Sequence, residues 1–135
     1  MDTCVVVAGL RSKRGASHEI LRRLGRKDFE TAVSVSLVLE YEEVLLRQSK
    51  VLGLTHEDVS DLIDYLCSVS VQQQVFFLWR PQLPDPDDDA VLELTANARC
   101  EAIITHNVRD FVGSEGFGVQ VMTPGDFLNL LRGET

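Results

Sequence analysis

The sequence predicts an α/β domain with a largely parallel sheet, because short runs rich in Val, Ile and Phe alternate along it with longer segments of helical periodicity. Its 135 residues are the size of one domain and enough to bury a single hydrophobic core. There is no internal repeat; the nearest approach to a linker is the Pro/Asp-rich stretch Pro81 to Asp89. The clearest strands are Ala32 to Ser36, Val75 to Trp79, Ala102 to Thr105 and Val119 to Met122. Helical patterns cover Ser36 to Gln48, His56 to Val69 and Ala90 to Arg99. A last helix over Pro124 to Leu131 closes the chain, with Thr123 placed to cap it, Pro124 at its first position and Asp126 in its first turn. Cys4 to Leu10 is a short apolar run that periodicity alone assigns to neither strand nor helix.

No apolar stretch approaches the ~18 residues that would span a bilayer, and charge arrives early, at Arg11, Lys13 and Arg14, as it does not in a secretory leader. Three widely spaced cysteines, Cys4, Cys67 and Cys100, form neither a zinc signature nor a disulfide framework. The expectation is a cytoplasmic protein with no membrane partner. A net charge of -8 argues against nucleic acid as a whole-molecule partner, but the charge is unevenly spread. Residues 1 to 27 hold seven basic groups (Arg11, Lys13, Arg14, Arg22, Arg23, Arg26, Lys27) against Asp2 and Glu19, a local balance of +5, while the other 108 residues carry 6 basic and 19 acidic groups, or -13. One end can therefore neutralise a phosphate backbone, or simply present a solvated helix face, while the acidic remainder holds most candidate metal ligands.

In a parallel sheet, functional groups gather beyond the carboxyl ends of the strands, so acids at strand-to-helix junctions are the ones to examine. Asp85, Asp87, Asp88 and Asp89 precede a helical pattern, Asn107 and Asp110 follow the apolar run Ala102 to Thr105, and Asp2 precedes the first apolar segment. Clustered carboxylates repel unless a cation neutralises them, and oxygen-only ligation suits a hard ion such as Mg²⁺ or Mn²⁺. Acids in a first helical turn also complement the helix dipole, which is the simpler account of Asp87 to Asp89. On a helical wheel Leu37, Val38, Tyr41, Val44 and Leu45 form one apolar face, with Glu40 at one edge, Glu42 at the other and Glu43 on the far side. Periodicity does not choose between Glu40 and Glu42. Leu39 and Leu46 fall away from this stripe, where a second protomer or another layer of the domain would meet them; a homodimer is expected.

Asp2-Thr3-Cys4-Val5-Val6-Val7, followed by Leu10-Arg11-Ser12 and Arg14-Gly15-Ala16-Ser17, resembles the opening Asp-Thr-Asn motif and first helix of PIN domains. Ser34 to Leu45 is similar to that family's second strand and the helix carrying its next acid, which falls on Glu40. Asp85 to Asp89 and the following AVLELTANARCEAIITHNVRDF resemble its third acid, helix and strand, and counting back from Thr105 places the acid on Asp89, beside Asp88. The ending Val121 to Leu128 has the family's form as well. The resemblance implies a three-layer α/β/α sandwich around a mainly parallel sheet and a metal-dependent ribonuclease of the kind found as the toxin of a toxin-antitoxin pair. Asp2, Glu40 and Asp89 would hold Mg²⁺ or Mn²⁺. Asp88, Asn107, Asp110 and Thr105 would complete or support the pocket, and Arg11, Lys13 and Arg14 would engage RNA, with an antitoxin protein as a further partner. Cys4 stands where the family usually carries Asn, Asn107 stands where many members carry Asp, although an Asn-x-x-Asp variant with its Asp at Asp110 also occurs, and the family places a strand before its first Asp, where this sequence has Met1. The resemblance therefore predicts a reading frame that extends upstream.

A receiver or dehalogenase-type phosphotransferase needs a late-chain Lys, and no Lys follows Lys50. The run Gly113 to Gly118 lacks dinucleotide-fold spacing. The remaining competitor is a PIN-fold module that binds RNA or protein without cutting.

Overall fold

Local capping chemistry sets most of the helix boundaries. The computed structural model describes residues 1–26, 29–72, 91, 94, 102–111 and 119–133. The ambiguous first segment is helix α1, Thr3–Arg11, opened by Asp2, whose side chain accepts a hydrogen bond from the Thr3 N–H. Three successive valines favour a strand intrinsically, but Val5, Val6 and Val7 are all buried against neighbouring helices, and packing overrides propensity. After a short turn, α2 (Ala16–Arg22) packs on α1. Gly9 permits that approach: a Cβ there would stand 2.5 Å from Leu21 Cδ1 and 3.0 Å from the Ser17 carbonyl oxygen.

Strand β1 is Ala32–Val33, shorter than the predicted run to Ser36. Ser34 is already the cap of the next helix, accepting from the Leu37 N–H at 3.2 Å, so α3 spans Val35–Arg47. The short α4 (Ser49–Leu52) ends on Gly53 at φ 71°, a left-handed conformation natural to glycine. Helix α5, His56–Val69, matches its predicted span and opens on a reciprocal capping box between Thr55 and Asp58. Strand β2 (Val71–Gln72) lies parallel to β1, with Ala32 opposite Val71. Strands β3 (Ala102–Ile104) and β4 (Gln120–Met122) form a second parallel pair, with Ile103 opposite Val121. Helix α6, Pro124–Leu131, starts as predicted on Thr123, which accepts from the Asp126 N–H.

The α/β class and the parallel strand direction agree with the sequence. Among the described residues the strands form two separate pairs rather than one central sheet. The predicted strand Val75 to Trp79 and the acids Asp85, Asp87, Asp88 and Asp89 lie outside the described residues. Of the predicted helix Ala90 to Arg99, Val91 and Leu94 are described, and both are helical and buried.

The larger core cluster joins Val6, Leu37, Tyr41, Leu45, Val59, Ile63 and Leu66, so that α3 lies between α1 and α5. A smaller one joins Val5 of α1 to Ile20, Ile104 and Leu128. Leu39 is 58% exposed, whereas Leu46, expected on the same outer face, packs partly against the core. Among the described residues no helix is long and apolar enough to cross a membrane.

Candidate active site

Asp2 is fixed at the junction of α1 and the β3–β4 pair. Its N–H donates to the Ile104 carbonyl at 2.9 Å. One carboxylate oxygen, Oδ1, accepts from the Thr3 N–H at 2.8 Å, as a helix cap does. The other, Oδ2, accepts from the Thr105 hydroxyl at 2.7 Å and from the Cys4 thiol at 3.4 Å. An acid at a helix N-terminus also meets the positive end of the helix dipole. The result is a residue only 7% exposed whose carboxylate has one orientation.

Thr105 sets that orientation. It follows the last residue of β3, donates its N–H to the Met122 carbonyl, and is fully buried. While its hydroxyl donates to Asp2, the same oxygen accepts from the Asn107 N–H at 3.0 Å. Thr105 therefore supports the carboxylate and does not line the cavity in front of it. Asn107 and Asp110 do line it, on an exposed turn pinned by the fully buried Phe111.

Cys4, where the family pattern has Asn, still places a donor on Asp2, though a weak one. Its sulfur in turn accepts from the His106 N–H at 3.4 Å. Burial raises the thiol pKa; the Thr105 hydrogen bond opposes that shift, and the Asp2 charge reinforces it.

The choice between Glu40 and Glu42, open from periodicity, is resolved by packing. Glu40 is half-buried and lines the same cavity as Asp2, while Glu42 and Glu43 are exposed. Tyr41, one residue on, is fully buried, and its hydroxyl donates to the Met1 carbonyl. Burial first, and then the charges of Asp2, Glu40 and Cys4, hold this phenol far above its usual pKa. Sequence reasoning placed Tyr41 in the apolar stripe but missed its polar end; a lone hydroxyl in such a stripe was the available signal.

The cavity, about 370 Å³, runs along the seam of α1 and α3. Asp2, Thr3, Cys4, Val7, Ala8 and Arg11 form one wall, and Glu40, Val44 and Gln48 form the other. Gln48 was not singled out from the sequence; its amide oxygen accepts from Arg11 Nη2 at 3.2 Å. Thr3 carries a buried hydroxyl without a hydrogen-bond partner among the described residues. Of the basic group at the N-terminal end, Arg11 alone among the described residues reaches this wall. Lys13 and Arg14 follow in the exposed turn after it, and Arg22 and Arg23 pair with Glu19 at 3.0 Å each. Asp88 and Asp89 lie outside the described residues.

A family profile described as PIN domain matches residues 1–109. The chain belongs to the PIN domain family. No curated protein and no solved structure matches it significantly. PIN domains are generally nucleases of α/β fold that use divalent metal ions. In this PIN domain the opening Asp2-Thr3 and the Glu40 helix fall inside the matched span and meet at one cavity.

Proposed function

We propose that this PIN domain is a metal-dependent endoribonuclease that hydrolyses RNA phosphodiester bonds, and that it serves as the cytoplasmic toxin of a toxin-antitoxin pair. The observation that carries the nuclease reading is the meeting of Asp2 and Glu40, from separate helices, in one cavity whose far end holds Arg11. The toxin role rests on the resemblance of nearly the whole chain to such stand-alone ribonucleases.

The oxygen donors around the cavity suit Mg²⁺ or Mn²⁺. Among the described residues no three His, Cys, Asp or Glu side chains stand close enough to hold an ion. In this reading Asp89 completes the set with Asp2 and Glu40, and Asp88, Asn107 and Asp110 surround it. Such an ion, held there, would supply an activated water and would stabilise the negative charge that develops on the phosphate and leaving-group oxygens. The chain's own contribution is orientation. The cap and Thr105 hold Asp2 in one position, and Arg11, with Lys13 and Arg14 beyond it, draws in the phosphates.

The test is cleavage of an RNA panel in Mg²⁺ and Mn²⁺, with EDTA as the negative control. Asp2→Asn, Glu40→Gln or Asp89→Asn removes a charge with little change of shape. A loss of about 3 kcal/mol of transition-state stabilisation slows cleavage roughly a hundredfold. Glu43→Gln, on the exposed face, is the matched control. Cleavage that persists in EDTA or in Asp89→Asn refutes the metal reading. A folded protein that binds RNA without cutting any member of the panel is a binding module.

A further inference from the structure

The cavity has an end that the acid cluster does not use. Asp2 caps α1 and Arg11 closes it, so the 9 residues of the helix separate the two by roughly 13 Å along its axis. At that far end Arg11 Nη2 donates to Gln48 Oε1 at 3.2 Å, and both residues line the cavity. This hydrogen bond decides what the pair can offer a ligand. Arginine has only donors, so the glutamine oxygen must face it, and the amide nitrogen is left as the group available to others. Arg11 keeps its remaining N–H groups. The far end thus presents donors from both side chains to whatever enters.

We propose that Arg11 and Gln48 form a base-reading subsite that prefers guanine, offset to one side of the bond that is cut. This rests on the ribonuclease reading above and deepens it. Between the purines, guanine carries two adjacent acceptors at N7 and O6, whereas adenine sets an N–H₂ donor beside its N7. A donor-only pair satisfies guanine twice and adenine once. Single-stranded RNA exposes these edges, which its duplex form hides. The separation corresponds to about four stacked nucleotide steps of roughly 3.4 Å. The preferred guanine therefore lies within about four nucleotides of the cut and on one side only, because α1 has a single direction through the cavity. Lys13 and Arg14, beyond the cavity, hold the backbone that leaves it.

The experiment uses fluorescein-labelled octauridylate carrying one guanosine or one adenosine, scanned through its positions. Binding is followed by anisotropy with Ca²⁺ in place of Mg²⁺ and the RNA checked as intact. One placement of guanosine binds about tenfold more tightly than adenosine at the same position. Gln48→Ala reduces that ratio, and Gln48→Glu, which keeps a partner for Arg11 but replaces the amide donor with an acceptor, abolishes it. Glu43→Gln leaves it in place. Absence of RNA binding, binding with no preferred placement, or a preference that survives Gln48→Glu overturns the subsite. RNA that is bound with the guanosine preference but never cut in Mg²⁺ or Mn²⁺ supports the subsite and sinks the nuclease reading. Cleavage with no base preference does the reverse.

Discussion

Thr105→Val tests whether the Thr105 hydroxyl holds Asp2 in place. The two side chains are nearly the same shape, so the substitution removes a hydroxyl without opening a cavity. Three contacts of the hydroxyl are lost: the 2.7 Å donation to Asp2 Oδ2, the 3.0 Å acceptance from the Asn107 N–H and a long, weak 3.5 Å contact with the Cys4 sulfur. The second costs little, because Asn107 is exposed and its N–H finds water. The first is charge-assisted, in a residue pair that is 0% and 7% exposed, and such bonds contribute about 1.5–3 kcal/mol. Oδ2 then keeps only the 3.4 Å thiol donor. We expect a loss of about 2–3 kcal/mol, read from urea unfolding, or a fall in Tm of about 8–12 °C for a chain of this length. Thr105→Ser should recover most of it. In a double-mutant cycle with Asp2→Asn, the two positions should couple by at least about 1 kcal/mol. A Thr105→Val protein within about 0.5 kcal/mol of the parent, or additive effects in the cycle, would show that Thr105 does not anchor the carboxylate.

Thr3 gives the opposite expectation. Its buried hydroxyl has no partner among the described residues, so Thr3→Val leaves the free protein equally or more stable in the same urea assay; a loss above about 1 kcal/mol would reveal a partner in the folded state. Tyr41 and Cys4 both have pKa values raised on folding. Their contribution is therefore complete below the unfolded values and lost as pH rises through the folded ones, so stability should fall on the alkaline side, with Tyr41 ionising at 295 nm only as the fold is lost. Two-tyrosine ionisation in a still-folded protein would contradict its burial. At the surface, Val35 and Leu39 are 77% and 58% exposed on α3, and we expect them to lie in a homodimer contact. Light scattering should show twice the chain mass, falling to one with Leu39→Lys; a monomeric parent protein at tens of micromolar, roughly where a modest interface is populated, ends that idea.

What the sequence by itself determined was local. Caps and helix starts rest on groups within three or four residues of each other, and Thr55 with Asp58, Thr123 with Pro124 and the span of α5 were all legible for that reason. Asp2, Asn107 and Asp110, which line one cavity, were legible because a family motif is also a short, ordered string. Where a signal conflicted with its neighbour, the local reading overran: the predicted strand to Ser36 took in Ser34, whose hydroxyl had the better use as a cap. Tertiary structure decided the rest. Cys4 to Leu10 became helix because Val5, Val6 and Val7 could be buried on several sides at once. Glu40 rather than Glu42 joined Asp2 because α3 turns that edge of its apolar stripe toward α1. Thr105, expected only to complete or support the pocket, was set against Asp2, and Gln48 entered the cavity beside Arg11, through hydrogen bonds spanning 103 and 37 residues of chain. No periodicity encodes such pairs. Their distances are set by how helices of fixed rise pack around a common core, and that is a property of the folded chain alone.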